Sequence, residues 1–195
     1  MKGRIIKMKL TENESIFCQA LAMTSLLAEL NNNDFLNSDY YNSLKFQGNE
    51  ENFRKILKSS GLGNPATMQM YLYILLVMPK ELLKMSDTRT LGVFKKEINQ
   101  LFIKGIDNVI TTYKNEDKND ITTIDFYNHT RNSVAHSNCR YKNVDNKCYV
   151  QFYDVNPHDI TQHCEIFIET SKVGEIIEKL IVLLMDYLNK KWSDR

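Results

Sequence analysis

Thr11-Glu12-Asn13-Glu14-Ser15-Ile16-Phe17-Cys18-Gln19-Ala20-Leu21 carries a complete helix start. A threonine hydroxyl and a glutamate carboxylate three residues later can each satisfy an amide that the first helical turn leaves free. Ile16, Phe17, Ala20, Leu21, Thr24, Leu27 and Leu30 then recur at the three- and four-residue steps of one helix face. The spacing predicts a helix to about Leu30, ended by Asn31-Asn32-Asn33-Asp34. The preceding MKGRIIKMKL is basic, but its apolar run is too short for a signal peptide.

Helical periodicity returns along most of the chain. The polar, aromatic-spotted stretch to Glu50 reads as loop with a short helix, and Glu51 to Ser60 as a helix closed by Gly61. Gly61 and Gly63 follow no strand, so their turn is a helix connection rather than a phosphate loop. Pro65 suits the first turn of a core helix carrying Met68, Tyr71, Leu72, Leu75 and Met78, which Pro79 should kink or restart. Ser86-Asp87-Thr88 can cap a long helix with Leu91, Phe94, Ile98, Leu101, Phe102, Ile106, Val109 and Ile110 at helical steps. The charged run from Lys114 to Asp120 reads as an exposed connection, and helical character resumes near Ile121 and lasts to His136.

The period then changes. Lys147 to Tyr153 and Glu165 to Glu169 are rich in β-branched and aromatic residues, and Asn143-Val144-Asp145-Asn146 supplies a turn. Ser171 caps a last helix whose core stripe is Val173, Ile176, Ile177, Leu180, Leu184, Tyr187 and Leu188. The expected fold is mainly α, an antiparallel helical bundle with a small antiparallel β-sheet inserted at about 139–169 before the last helix. At 195 residues the whole chain, 1–195, is expected to form one domain.

Composition excludes several classes. Hydrophobic residues at 43% and charged residues at 25% describe a globular chain, not a disordered one. No apolar stretch reaches the roughly 20 residues of a membrane span, so no membrane partner and a cytoplasmic location are expected. With 25 basic and 24 acidic side chains the net charge is +1, so nucleic acid would need a local basic patch. Lys2, Arg4, Lys7 and Lys9, with Lys142 and Lys147, are the candidates. Cys18, Cys139, Cys148 and Cys164 lack any CxxC pair and read as reduced thiols. With His158 and His163 they offer C-x8-C and H-x4-H-C spacings, which match no tetrahedral zinc pattern. Asp125, Asp145, Asp154 and Asp159 are too scattered for a two-metal nuclease, so neither metal nor cofactor is expected.

Asn128-His129-Thr130-Arg131-Asn132-Ser133-Val134-Ala135-His136-Ser137-Asn138 sets a guanidinium and an imidazole five residues apart among small and polar neighbours. Five helical residues turn the chain by about 140°, so Arg131 and His136 would flank a groove. Arginine's planar fork can hold two phosphate oxygens, and histidine can give or take a proton near neutrality. His129 could lie near the same groove.

This Arg-Asn-x-x-x-His string, on a late helix after long amphipathic helices, resembles the R-x4-6-H signature of HEPN proteins. The match is strongest locally and extends through Ser137 to Tyr141 and the closing helix. Asn132 stands where that signature commonly has a polar residue. Some members carry a tyrosine two residues after the histidine, where this chain has Asn138. The likeness is greatest to the plasmid-borne stand-alone HEPN group.

The resemblance implies a metal-independent endoribonuclease, with RNA as substrate. Arg131 would hold the scissile phosphate, His136 would act as general acid or base, and Asn132 would orient the phosphate or the imidazole. It also implies a homodimer with two motifs facing one cleft, a toxin or defence role, and an antitoxin or regulatory protein as a further partner. A non-catalytic HEPN protein that binds RNA or a protein partner is the alternative.

Overall fold

The computed structural model describes residues 10–82 and 88–193. Helix α1, Glu12–Asn32, opens with the reciprocal capping box of Thr11 and Glu14. Its buried face holds Phe17, Leu21 and Thr24, while Ile16 turns outward. A 3-10 turn and the short helix α2, Asp39–Ser43, lead to α3, Glu50–Ser60.

Helix α4, Pro65–Leu72, has Pro at its first turn and Asn64 as its cap. It runs without a break into a π-helical turn, Tyr73–Val77, and then α5, Met78–Leu82. Pro79 thus neither stops nor restarts the helix. Its ring would clash with the carbonyl four residues back in a regular helix, and the wider π turn just before it relieves that crowding. Ile74, Leu75, Leu76 and Val77 of this turn are all buried.

Helix α6 spans Thr88–Gly105 and buries Phe94, Ile98 and Phe102. The cap expected at Ser86-Asp87 lies outside the described residues. Val109 and Ile110 depart from expectation. They leave the helix and form strand β1, Asn108–Thr111, because the β-branched pair finds an antiparallel partner in a later strand.

After a 3-10 turn at Ile121–Thr123, helix α7 spans Phe126–Ala135. Strands β2, Cys139–Val144, β3, Lys147–Val155, and β4, His163–Glu169, follow, and helix α8, Thr170–Ser193, closes the described chain. Helix α8 starts before Ser171, so that residue sits in its first turn, where its hydroxyl bonds the Glu169 carboxylate.

The fold is mainly helical, with a four-stranded antiparallel sheet of order β1-β4-β3-β2 before the last helix. Asp145 and Asn146 both take positive φ, the backbone of a tight hairpin turn between β2 and β3. Val150, Phe152 and Asp154 of β3 stand opposite Ile168, Ile166 and Cys164 of β4, and all six are buried. Helix α7 packs between this sheet and the π turn, with Phe126 stacked on Phe102. None of the described helices is long and apolar enough to cross a membrane. All four cysteines are free.

Candidate active site

Helix α7 is fixed at both ends. Asp125 caps its start by accepting from the Asn128 amide, and the Asn99 side chain accepts from the Tyr127 amide. At the far end the Ser137 amide bonds the Val134 carbonyl and the Asn138 amide bonds the Ser133 carbonyl at 2.7 Å. That pair of bonds, with Ser137 in the left-handed conformation, is a Schellman ending. The Asn138 carbonyl then accepts from the Tyr153 amide, which ties the helix end to β3.

This ending sets His136 at the C-cap. The residue is exposed, and its ring makes no hydrogen bond to any described residue. Arg131 lies more deeply, its side chain 17% exposed. One arm of its fork, Nη1, donates to Asn132 Oδ1 at 3.2 Å, and the other, Nη2, donates to Glu81 Oε1 of α5 at 2.6 Å. Its Nε is buried with no partner. The Arg131 and Asn132 side chains are therefore in direct contact, and the His136 ring stands apart at the helix end, joined to Asn132 only through the backbone, its amide donating to the Asn132 carbonyl at 3.0 Å.

His129 does not face the surface with them. It is buried, with Nδ1 at 2.6 Å from Asp154 Oδ2 and Nε2 at 2.7 Å from Glu116 Oε1. A neutral imidazole has only one N–H, so two carboxylate neighbours call for the doubly protonated cation. Burial alone would favour the neutral ring; the hydrogen bonds and charges of Asp154 and Glu116 outweigh it and push the pKa up to about 9.

Burial would likewise raise the pKa of Glu116. Bonds from His129, the Thr111 hydroxyl and the Asp125 amide prevail and hold it below its ordinary value. Tyr113 donates its hydroxyl to Asp154 Oδ2 at 3.2 Å, and its ring centroid lies 4.6 Å from that of His129.

Two of these residues escape a reading of the sequence. Glu116 sits in the charged run taken as an exposed connection, yet its side chain is 2% exposed. Asp154 left a signal, since it continues the buried stripe of Val150 and Phe152 at the two-residue period of a strand. An acid in such a position needs a buried partner.

The cysteines and histidines between 139 and 164 do not gather into one cluster. Among the described residues, the group whose ligand atoms lie within 4.8 Å of one another is Glu116, His129 and Cys164. Both His129 nitrogens and both Glu116 oxygens already have partners, so the group is an ion-pair network. Cys164, opposite Asp154 across the sheet, has its thiol pKa pushed far up by burial and the nearby carboxylates.

Of the candidate basic patch, Lys142 is exposed on β2, Lys147 is paired with Glu169 at 2.9 Å, and the amino-terminal four lie outside the described residues. Tyr141 is half-buried, its hydroxyl 3.4 Å from Gln69 Oε1.

Helix α7 thus carries Arg-Asn-x-x-x-His toward its exposed end, with β2, β3, β4 and the closing helix after it. The family model HEPN pEK499 p136 matches residues 8–191, and the chain belongs to that family. No curated protein and no solved structure matches it.

Proposed function

We propose that this chain is a metal-independent endoribonuclease that acts through Arg131 and His136. The observation that carries the reading is the surface end of α7, where a guanidinium steadied by Asn132 is followed by an exposed imidazole with no other engagement. Membership in an HEPN family supports RNA as the substrate.

In the reaction the substrate's 2′-hydroxyl oxygen attacks the adjacent phosphorus. Its proton passes to a base, the bond from phosphorus to the 5′-oxygen breaks, and that oxygen takes a proton from an acid. Arg131 neutralises the phosphate charge that grows between these events. One imidazole serves one proton transfer at a time, so a homodimer that brings two copies of His136 to one cleft supplies both. Sedimentation giving a monomer at micromolar concentration would remove that part of the scheme. A toxin or defence role follows if induced expression stops growth and His136→Ala does not.

The purified protein should cut RNA in EDTA and leave a 2′,3′-cyclic phosphate. Placing a 2′-deoxy residue on the 5′ side of the cut should abolish cleavage there, because the nucleophile is gone. Continued cutting of the deoxy-substituted strand, or a strict demand for magnesium, would overturn the mechanism.

One observation favours the second reading, a non-catalytic protein that binds RNA or a partner protein. Glu81 occupies the arm of Arg131 that a phosphate would take. The Glu81 side chain is 58% exposed, however, and such a pair is weak enough for a phosphate to displace. Glu81→Gln should then tighten RNA binding by about two- to fivefold, an effect of the size of one exposed ion pair. Fluorescence anisotropy with a non-cleavable 2′-deoxy-substituted RNA would read it. Unchanged affinity would mean that phosphate does not enter at Arg131.

A further inference from the structure

A continuous hydrogen-bonded chain runs from the sheet to the motif. The Thr111 hydroxyl of β1 donates to Glu116 at 2.6 Å, and Glu116 and Asp154 hold the two ring nitrogens of His129. Asp154 Oδ2, on β3, also accepts from Asn132 Nδ2 at 3.4 Å. Asn132 Oδ1 in turn accepts from Arg131 Nη1. The amide of Asn132 is thus oriented from both sides. Its NH2 meets a carboxylate and its carbonyl oxygen meets a guanidinium, and a flipped amide would set donor against donor at Arg131.

Asp154 is itself held in place. Its Oδ2 receives His129, Tyr113 and Asn132 together, and its strand position is fixed by the pairing with Cys164. A carboxylate with so many donors, 6% exposed as a residue, has little freedom to turn. The only member of this chain of bonds that reaches the phosphate-binding group is Asn132.

We propose that Asp154 and His129 are positioning residues for the Arg131 phosphate site, acting through Asn132. The network locks the amide, and the amide holds one arm of the arginine fork so that little ordering remains to be done when a phosphate arrives. Buried ion pairs of this kind give little net stability over apolar packing, so a positioning role accounts for charge placed behind the motif. The kinetic part of the test rests on the ribonuclease reading, and the spectroscopic part does not.

The experiment is a double-mutant cycle of Asp154→Asn and Asn132→Ala, each variant checked by thermal melting. In the otherwise wild-type protein Asp154→Asn should raise KM for RNA about fivefold with a smaller change in kcat, the size of one ordinary hydrogen bond. In the Asn132→Ala background it should change KM by less than about twofold, while lowering the melting temperature as much as before. An equal KM factor in both backgrounds would make Asp154 merely structural and overturn the proposal.

Nitrogen-15 NMR supplies the arm that needs no activity. In the Glu81→Gln background, which frees the other arm, the protein should show restricted rotation of the Arg131 guanidinium and protected Asn132 side-chain protons, with the restriction at Arg131 lost on adding Asn132→Ala. Free rotation and fast exchange in the Glu81→Gln protein would overturn the proposal even if Asp154→Asn fails to fold. Failure of RNA cleavage with these signals intact would sink the ribonuclease reading alone.

Discussion

Replacing His136 with alanine should slow RNA cleavage by about 10²–10⁴-fold, the usual worth of a positioned acid or base. The fold should be untouched. The residue is exposed at the C-cap, its ring bonds no described residue, and its backbone at φ −101° and ψ 10° is open to alanine. The Schellman bonds that shape the helix end come from the amides of Ser137 and Asn138, which the substitution leaves in place. The loss should fall on kcat, whereas Arg131→Ala should raise KM as well, because a phosphate-binding cation acts before and during the chemical step. Single-turnover cleavage with equal melting temperatures would establish the contrast. Undiminished activity in His136→Ala would end the assignment of this residue.

The elements read most easily from the sequence are those whose signals are local. Thr11 and Glu14 form the capping box that their spacing foretold, and Pro65 opens the helix it suits. The hairpin turn at Asp145 and Asn146 and strand β3 after it follow from local signals, whereas β2, Cys139–Val144, has no β-branched run and its last two residues read as turn. Strand β1 was hidden for a physical reason. Val109 and Ile110 continue the helical spacing of Phe94, Ile98 and Phe102, so periodicity alone extends the helix. What takes them out of it is a tertiary partner, since Val109 lies opposite Ile166 more than fifty residues later. Gly105 was the available local hint, as the last residue of the helix.

The site was legible to the same limit. Arg131, Asn132 and His136 could be singled out because their chemistry and spacing belong to one helix end. The groups behind them come from the loop after β1 and from β3, and no sequence spacing relates Glu116, His129 and Asp154. Glu116 resembled its charged neighbours, and only the burial of its side chain against His129 distinguishes it. The consequence is a shift in the meaning of His129, from a possible second imidazole at the groove to a cation shut between two carboxylates.

The two carboxylates make the stability of the protein fall as pH rises into the alkaline range. The folded-state pKa of His129 lies near 9, against an ordinary value of 6.5. A group whose pKa is raised on folding contributes its full stabilisation below the unfolded value and loses it as pH climbs through the folded one. The unfolding free energy from denaturant titration should therefore be about 2 kcal/mol lower at pH ~9 than near neutrality on account of this residue, at about 1.4 kcal/mol per unit. The nearest ionisable neighbours do not share the window. Tyr113 and Cys164, pushed far above their ordinary values by burial and adjacent carboxylates, weaken the fold only at pH above those ordinary values of 10.0 and 9.0, and Glu116, held below its ordinary value, is ionised throughout. In His129→Gln the fall between neutrality and pH ~9 should be missing. Ring-nitrogen NMR of the wild type should show His129 doubly protonated throughout the neutral range. A ring that loses its proton near its ordinary pKa, or a stability profile as steep in His129→Gln as in the wild type, would show that the two carboxylates do not hold a cation between them.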